Sequence, residues 1–336
     1  MEFTEYASIE NSYRQKNINE IIERGYAAKC MWSVSEKVHG ANSSIWMSKD
    51  DGPKFARRTD FLKEDEKFYC HKEILFDLQS TIWRLFGELV TDGAESLVVF
   101  GELFGGQYVH PDVPKSNHSR VQKGVQYHPS QQFMAFDMKI DGLYIGTDRL
   151  LGLCRKHGIP HLEPLFRGTF EECLAFDTNF QSTIPAIFGL PPLPEGIDNL
   201  CEGIVIKPDD PMFFPIGSRV ILKKKNDKFS EKMHPPKEHR EPKDIDIVVA
   251  AQVDQVDMYL NDARLDNVVS KIGQLTIKDF GKIAKALSED VMDEYLKDNS
   301  EAYELLDKGQ RASLSKYIGR KVAGIIKPRF MEIVDR

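Results

Sequence analysis

Glu36-Lys37-Val38-His39-Gly40-Ala41-Asn42 places a lysine in a short polar turn between two strand-forming runs, Met31–Ser35 and Ser43–Met47. A lysine there can act as a nucleophile only as the free amine. Its ordinary pKa of about 10.4 keeps it an ammonium at neutral pH. Neighbouring cations or partial desolvation can bring that value toward about 7–8. A site built on Lys37 should therefore gather other cations. Ser218-Arg219-Val220-Ile221-Leu222-Lys223-Lys224-Lys225 offers them, because strand alternation sends Lys223 and Lys225 to one face and Lys224 to the other. Taken alone, the triplet is better read as a basic edge strand that blocks aggregation.

Two carboxylates stand in apolar strand contexts. Glu102 ends the run Leu97–Leu103 and is followed by Phe104-Gly105-Gly106; a buried glutamate of this kind needs a partner. No Gly-Lys-Ser/Thr follows these glycines, which excludes a P-loop. Glu202 opens Glu202-Gly203-Ile204-Val205-Ile206-Lys207, and alternation places it on one face with Ile204 and Ile206, with Lys207 on the other. A carboxylate beside phosphates recruits Mg²⁺. Arg58, in Arg57-Arg58-Thr59, carries a planar fork suited to phosphate or a ribose hydroxyl, or belongs to an ordinary solvated turn. Phe136, in Phe133-Met134-Ala135-Phe136-Asp137, is core or an aromatic platform under a purine. His39 contacts a leaving phosphate or bonds within its own turn, with the two readings evenly weighted; Asn42 contacts the nucleotide or only tolerates the turn.

The elements that must position these residues are mixed strand and helix up to about residue 228. Helical spacing covers Ile18–Arg24 and Lys72–Leu89; strand candidates are Leu97–Leu103, Gln132–Ile140, Cys201–Lys207 and Ser218–Lys225. Asp141-Gly142 signals a hairpin. Phe229–Lys243, charged and with three prolines, reads as a linker. Residues 244–336 read as helical: Ile247–Leu260, a helix over Ile277–Leu287 opened by a Thr276/Asp279 capping box, a further start at Ser288, and a last helix from Ala312 to Ile326 before Pro328. With 336 residues, 41% hydrophobic and 29% charged, the chain has the composition of a two-domain globular protein. Its net charge of −7 speaks against a non-specific nucleic-acid coat. The five cysteines show no metal-ligand spacing, and the histidines no zinc motif. The expectation is an intracellular, cytoplasmic protein, a virus-encoded one included, with no membrane span, secretory signal or transit peptide.

The order of these segments is more specific than any one of them. It resembles the motif series of the covalent nucleotidyltransferases, and within them most resembles the RNA ligase 2 group, which includes a phage nick-sealing ligase and the kinetoplastid RNA-editing ligases. The likeness spans residues 30–230 and continues in Val269-Ser270-Lys271-Ile272-Gly273 and Lys278-Asp279-Phe280-Gly281-Lys282. The resemblance implies an α+β, antiparallel-sheet (ATP-grasp-like) nucleotidyltransferase domain at 1–228 and a small all-α domain at 244–336. It implies ATP and Mg²⁺ as cofactors, with Mn²⁺ able to substitute. Its RNA partner carries 5′-phosphate and 3′-hydroxyl ends, in duplex or splinted form, and meets a monomer. It makes Lys37 the adenylylated lysine, with His39 a catalytic neighbour and Glu36 and Asn42 nucleotide contacts. Glu102 is the ribose-binding glutamate, Phe136 the adenine platform, and Glu202 and Lys207 the fourth motif, with Glu202 the metal ligand. Lys223 and Lys225 lie at the α-phosphate and Arg58 at nucleotide and RNA. In the helical domain Lys271, Lys278 and Lys282 read as RNA phosphate contacts, or as an ordinary solvated helix face. The pattern departs at Ala41, where threonine is usual, and at Asp60, where glycine is common. DNA ligases and guanylyl-transferring capping enzymes share the lysine. They carry aspartate where this chain has His39, and an OB-fold where it reads as helical. A non-catalytic RNA-binding relative would have lost one of Lys37, Glu102, Glu202, Lys223 or Lys225, and all are present.

Overall fold

The protein is described from a computed structural model covering residues 1–230 and 247–334. It divides into two compact units, Met1–Lys228 and Phe229–Arg336. Apart from residues 229–230, the expected linker lies outside the described residues.

The first unit runs β1 (Glu10–Asn11), α1 (Gln15–Glu23), β2 (Trp32–Glu36), β3 (Ala41–Ser48), β4 (Lys54–Arg57), α2 (His71–Thr91), β5 (Ser96–Gln107), β6 (His128–Ile140), β7 (Leu143–Tyr144), α3 (Thr147–His157), β8 (Phe166–Gly168), α4 (Phe170–Ala175), α5 (Ile184–Ile187), β9 (Gly203–Pro208) and β10 (Leu222–Lys225). The strands form two five-stranded sheets, ordered β1-β10-β9-β2-β8 and β4-β3-β5-β6-β7. Within these sheets every pairing is antiparallel except the two-residue β1–β10 contact. The chain is thus α+β, with antiparallel sheets followed by a helical unit.

Period-two alternation gives each sheet two different faces. In the second sheet Ile45, Met47, Leu97, Val99 and Leu103 pack on α2 through Ile82, Leu85, Phe86 and Leu89. In the first, Trp32, Val34, Ile204, Ile206 and Leu222 pack on Ile18 and Ile21 of α1 and Phe170 and Cys173 of α4. The opposite faces meet: Trp46, Val98, Phe100 and Phe136 from one sheet share a cluster with Val205 and Ile221 from the other, closed by Phe3, Tyr6 and Ile9. Each sheet therefore has a helix-covered back and a front turned toward the other. Asp141 and Gly142, both at positive φ (51° and 77°), make the β6–β7 hairpin. The strand expected over Ser218–Lys225 shortens to β10, because Arg219 leaves the ladder for a bridge to Phe213. Leu190–Pro194 carries no element, as its prolines imply.

The second unit contains α6 (Ile247–Asp257), α7 (Asp262–Ile272), α8 (Phe280–Glu304), α9 (Lys308–Ile326) and α10 (Phe330–Val334). Val256, Leu265, Val268, Ile283, Leu287, Val291, Leu314, Ile318 and Val322 fill its core. Three expected starts are corrected. The Thr276 N–H and hydroxyl both donate to Asp279 (2.7 and 2.6 Å), which closes a turn, and the helix begins after it at Phe280. Ser288 starts nothing: it lies inside α8 and its hydroxyl donates to Ala284 O one turn back. The last helix starts earlier than Ala312, because Asp307 and Gln310 form a capping box ahead of Lys308. Among the described residues no helix is long and apolar enough to cross a membrane.

Candidate active site

Residues 37–40 carry the chain from β2 in the first sheet to β3 in the second. The turn is pinned at three points. The Lys37 N–H donates to Gly203 O (2.8 Å) and the His39 N–H to the Tyr127 hydroxyl (2.9 Å). Gly40 lies so close to β5 that a Cβ would stand 2.2 Å from Leu103 O, so only glycine fits. Lys37 Nζ then meets Glu202 Oε2 at 2.7 Å, while Lys225 Nζ meets Glu202 Oε1 at 2.7 Å and His39 Nδ1 stands 3.5 Å from Oε2. Burial alone would raise the Glu202 carboxyl. Lys225, then Lys37 and His39, outweigh it and hold the group well below the usual carboxylate range.

This arrangement corrects the strand reading of Glu202. Ile204 and Ile206 face the helix-covered back, but Glu202 precedes β9 and joins lysines on the front. The cause is Gly203, at φ 152° and packed so tightly that a Cβ would lie 2.2 Å from Lys224 O; it breaks the alternation. The alternation of β10 holds. Lys225 reaches Glu202, Lys223 shares its parity, and Lys224 turns to the back, donating to Leu174 O and Phe176 O at the end of α4 (3.1 and 2.8 Å). Glu36 is also on the back. Its Oε2 accepts from the Thr183 N–H and hydroxyl (2.7 and 2.8 Å), and burial raises its carboxyl against those bonds and one from Ser182. Its side chain is therefore turned away from the Lys37 cluster, because neighbours in a strand point to opposite faces.

The second sheet supplies the opposing front. Glu102 lies mid-strand in β5, not at its end, opposite Asn42 of β3 and with the parity of Val98 and Phe100. It accepts from the Gly40 N–H and lies within electrostatic reach of Lys37, Glu202 and Arg58. Burial pushes its carboxyl up to about 8; Lys37 opposes the rise and Glu202 adds to it. The adjacent arginines divide their work: Arg57 is tied to Asp60 and Glu66, and Arg58 is left toward Glu102. Asp60, at the position where glycine is common in the family, is thus a partner of Arg57.

Phe136 reaches the front through an irregularity. Phe100 pairs with Asp137 but Gly101 pairs with Ala135, so Phe136 is the extra residue of a β-bulge. The bulge puts Phe136 and Asp137 on the same side. Half-buried Phe136 packs edge-on to Tyr6 (5.1 Å between centroids), and fully buried Asp137 accepts from the Tyr6 hydroxyl (2.9 Å) and pairs with Arg219, whose guanidinium lies 3.9 Å from the Tyr144 ring centre. Lys207 Nζ donates to Phe136 O (3.0 Å) and stands 3.9 Å from Asp137. Burial lowers the Lys207 ammonium despite that carboxylate. Sequence reasoning assigns no role of their own to Tyr6 and Arg219. An arginine in the apolar run before Lys223 was the available signal.

In the helical unit the three expected phosphate contacts separate. Lys271 is ion-paired to Asp290 (3.0 Å), which also holds buried Arg264, so it serves the fold of its own unit. Lys278 and Lys282 are exposed before and within the first turn of α8.

An ionised, hard-oxygen carboxylate is what a Mg²⁺ or Mn²⁺ ion requires, and Glu202 meets that condition while Glu102 does not. Cys70, Glu73 and His118 also converge, within 4.8 Å of one another. However, His118 Nδ1 accepts from the Gln131 N–H (3.0 Å), which leaves the proton on Nε2, 3.2 Å from Glu73; burial pushes the Cys70 thiol up to about 12. As it stands the trio is a set of hydrogen-bonded side chains with Cys70 a neutral thiol.

The raised Glu102 carboxyl has a measurable consequence. Its folded value exceeds the unfolded one, so its contribution to stability is full below pH about 4.5 and is lost as pH rises through about 8. Thermal unfolding of the ligand-free protein should therefore show a steeper decline between pH 5 and 8 than Glu102→Gln. Parallel curves would remove the buried-carboxyl description.

The RNA ligase family model matches residues 31–225, from the residue before β2 to Lys225 itself, and the T4 RNA ligase 2 C-terminal model matches residues 246–324. The mitochondrial RNA-editing ligase 1 of Trypanosoma brucei brucei is 30% identical over 352 residues, covering 84% of this chain and 74% of that protein. RNA-editing ligase 2 of the same organism is 27% identical over 389 residues, covering 99% of this chain and 92% of its own. Among solved structures, a Naegleria gruberi RNA ligase with pyrophosphate aligns at 16% identity and TM-score 0.45 over 68% of this chain and 57% of that one. The turn of Lys37 and the strand of Lys225 thus bound a matched segment that fills most of the first unit, and the chain belongs to the RNA ligase family, in the group with a T4 RNA ligase 2 type C-terminal domain.

Proposed function

We propose that this chain seals nicks in duplex or splinted RNA, with Lys37 as the residue that carries AMP. ATP-dependent joining of RNA ends is the activity of the family. The observation that supports Lys37 is its ammonium held 2.7 Å from a buried carboxylate that Lys225 grips from the other side. Glu202, held far below the usual range, is a poor proton acceptor; it orients Lys37, and the proton goes to water. The amine forms an N–P bond to the α-phosphorus of ATP as the bond to the β-phosphate oxygen breaks and pyrophosphate leaves. An oxygen of the RNA 5′-phosphate then takes the AMP from Lys37. Finally the 3′-hydroxyl oxygen bonds to the 5′-phosphorus and AMP departs. Such transfers need positioning and charge stabilisation. Lys223 and Lys225 stabilise the phosphates, Arg58 contacts nucleotide and RNA, Asn42 and Glu102 hold the ribose side, Phe136 lies under the base, and Lys207 fixes the Phe136 backbone. Glu202 would hold Mg²⁺ or Mn²⁺, which neutralises phosphate charge when bound.

One chain carries the whole set, so a monomer suffices. The five cysteines are unpaired, which suits a reducing, intracellular compartment such as the cytoplasm. The Trypanosoma relatives are named as mitochondrial.

Lys225→Ala should cut lysyl-AMP formation by about 10²–10³-fold, the usual cost of losing one preorganised donor to developing charge. Lys224→Ala should leave it near wild type, because Lys224 faces α4. Equal labelling by both variants would return β10 to a plain basic strand. Substrate class is tested by sealing a nicked RNA duplex, RNA splinted on DNA, and single strands. The first two should be joined far faster; equal rates, or preference for an all-DNA nick, would overturn the duplex-RNA assignment.

A further inference from the structure

We infer that the exposed face of α9 is the surface on which the helical unit holds the phosphate backbone of the RNA; this rests on the RNA-joining reading above. The chain has more acidic residues (52) than basic ones (45), yet Lys308–Ile326 contains five cations and no carboxylate. Its buried side is apolar: Leu314, Ile318, Val322 and Ile326. Two of the cations serve the fold. Arg311 donates to Glu304 O and lies over the Tyr303 ring, and Lys321 reaches Asp257. The other three, Lys308, Lys316 and Arg320, are exposed along one side, although Arg320 also lies 5.6 Å from the Tyr317 ring centre, and Lys327 continues the line. Among the described residues no carboxylate stands within ion-pair distance of any of them.

Two further features make a structural role insufficient. Lys316 and Arg320 are one turn apart, a spacing at which like charges repel. The same side also carries Gly319 and Gly324. Glycine weakens a helix interior, and at neither position would a Cβ meet anything within 4 Å, so packing among the described residues does not call for glycine. Bare helix between cations lets a phosphate backbone approach closely. The line spans about 28 Å at 1.5 Å per residue. The start of α8, with Lys278 and Lys282, adjoins its far end, because Phe280 packs against Phe330 (5.1 Å). A polyanion complements this face; phosphate contacts of this kind position a duplex without reading its sequence.

The test uses the full-length chain and a nicked RNA duplex, with binding measured against salt. In Lys316→Gln/Arg320→Gln the slope of log Kd against log salt should fall by about 1.4–1.8, and sealing of a pre-adenylylated nick should drop at least about tenfold at 0.15 M salt. Lysyl-AMP formation should match wild type, which also shows that the variant is folded. Lys316→Arg should keep the wild-type slope, as should Lys285→Gln, a control at an exposed lysine (77%) on α8. A wild-type slope and sealing rate in the double variant would overturn the inference and leave the face to an acidic protein partner. A wild-type chain that forms lysyl-AMP but neither binds nor seals nicked RNA would overturn the RNA reading itself, before any variant is compared.

Discussion

Lys37→Arg is expected to remain folded and to form no AMP adduct. Arginine keeps a cation opposite Glu202, so the buried carboxylate retains charge on both sides. The guanidinium stays protonated at any working pH and cannot attack phosphorus. Loss of a covalent nucleophile lowers turnover by at least about 10⁴-fold, while the melting temperature should move by only a few degrees. Lys37→Ala should lose labelling equally but also lose stability, because Glu202 is then buried with Lys225 and His39 alone. Labelling with ATP followed on gels, beside thermal unfolding, separates the two effects. Labelling of Lys37→Arg above about 1% of wild type would mean that another residue accepts the nucleotide.

The second large effect is on stability. Asp137→Ala should destabilise the first unit by about 3–5 kcal/mol, the usual result of removing one partner of a buried ion pair. Arg219 and Lys207 would be left desolvated without their carboxylate, and the Tyr6 hydroxyl without its acceptor. For a unit of this size that corresponds to a fall of roughly 6–20 °C in melting temperature. Arg219→Met should cost less, because Asp137 keeps Lys207 and Tyr6. The pH dependence has a definite sign. Burial acts to raise the Asp137 carboxyl, but Lys207 and Arg219 hold it below its ordinary value. Its stabilisation is therefore present above the usual carboxylate range and is lost as pH falls through the folded value. The wild type should lose stability more steeply in acid than Asp137→Ala. A change under about 1 kcal/mol would show that the network is dispensable. Because Phe136 and Asp137 share one bulge, AMP transfer should fall with stability.

How far the sequence reveals this molecule depends on the range of the interaction. Alternation in β10 separates Lys223 and Lys225 from Lys224 without any structure, since side-chain direction in a regular strand is a local property. The same rule places Glu36 away from Lys37, although the family pattern suggested a nucleotide contact for its side chain. Alternation fails where the strand is not regular. Gly203 swings Glu202 to the front of its sheet, and the bulge at Phe136 puts consecutive residues on one side. Neither break is visible as a pattern, because what fixes each is the backbone of a neighbouring strand. The Tyr6–Asp137–Arg219 network joins residues 213 positions apart at its extremes, a separation with no local trace. Likewise Lys271 reads as one more exposed helical lysine until Asp290, on the next helix, is placed beside it.

The central claim is that Lys37 carries the nucleotide, and peptide mass mapping tests it most directly. The wild-type chain is incubated with ATP and Mg²⁺, digested, and searched for AMP on every lysine. The geometry predicts a single adduct, on the peptide containing Lys37, that is discharged when nicked 5′-phosphorylated RNA is added. An adduct on Lys207, Lys223 or Lys225, or on Lys37 but inert toward RNA, would contradict it.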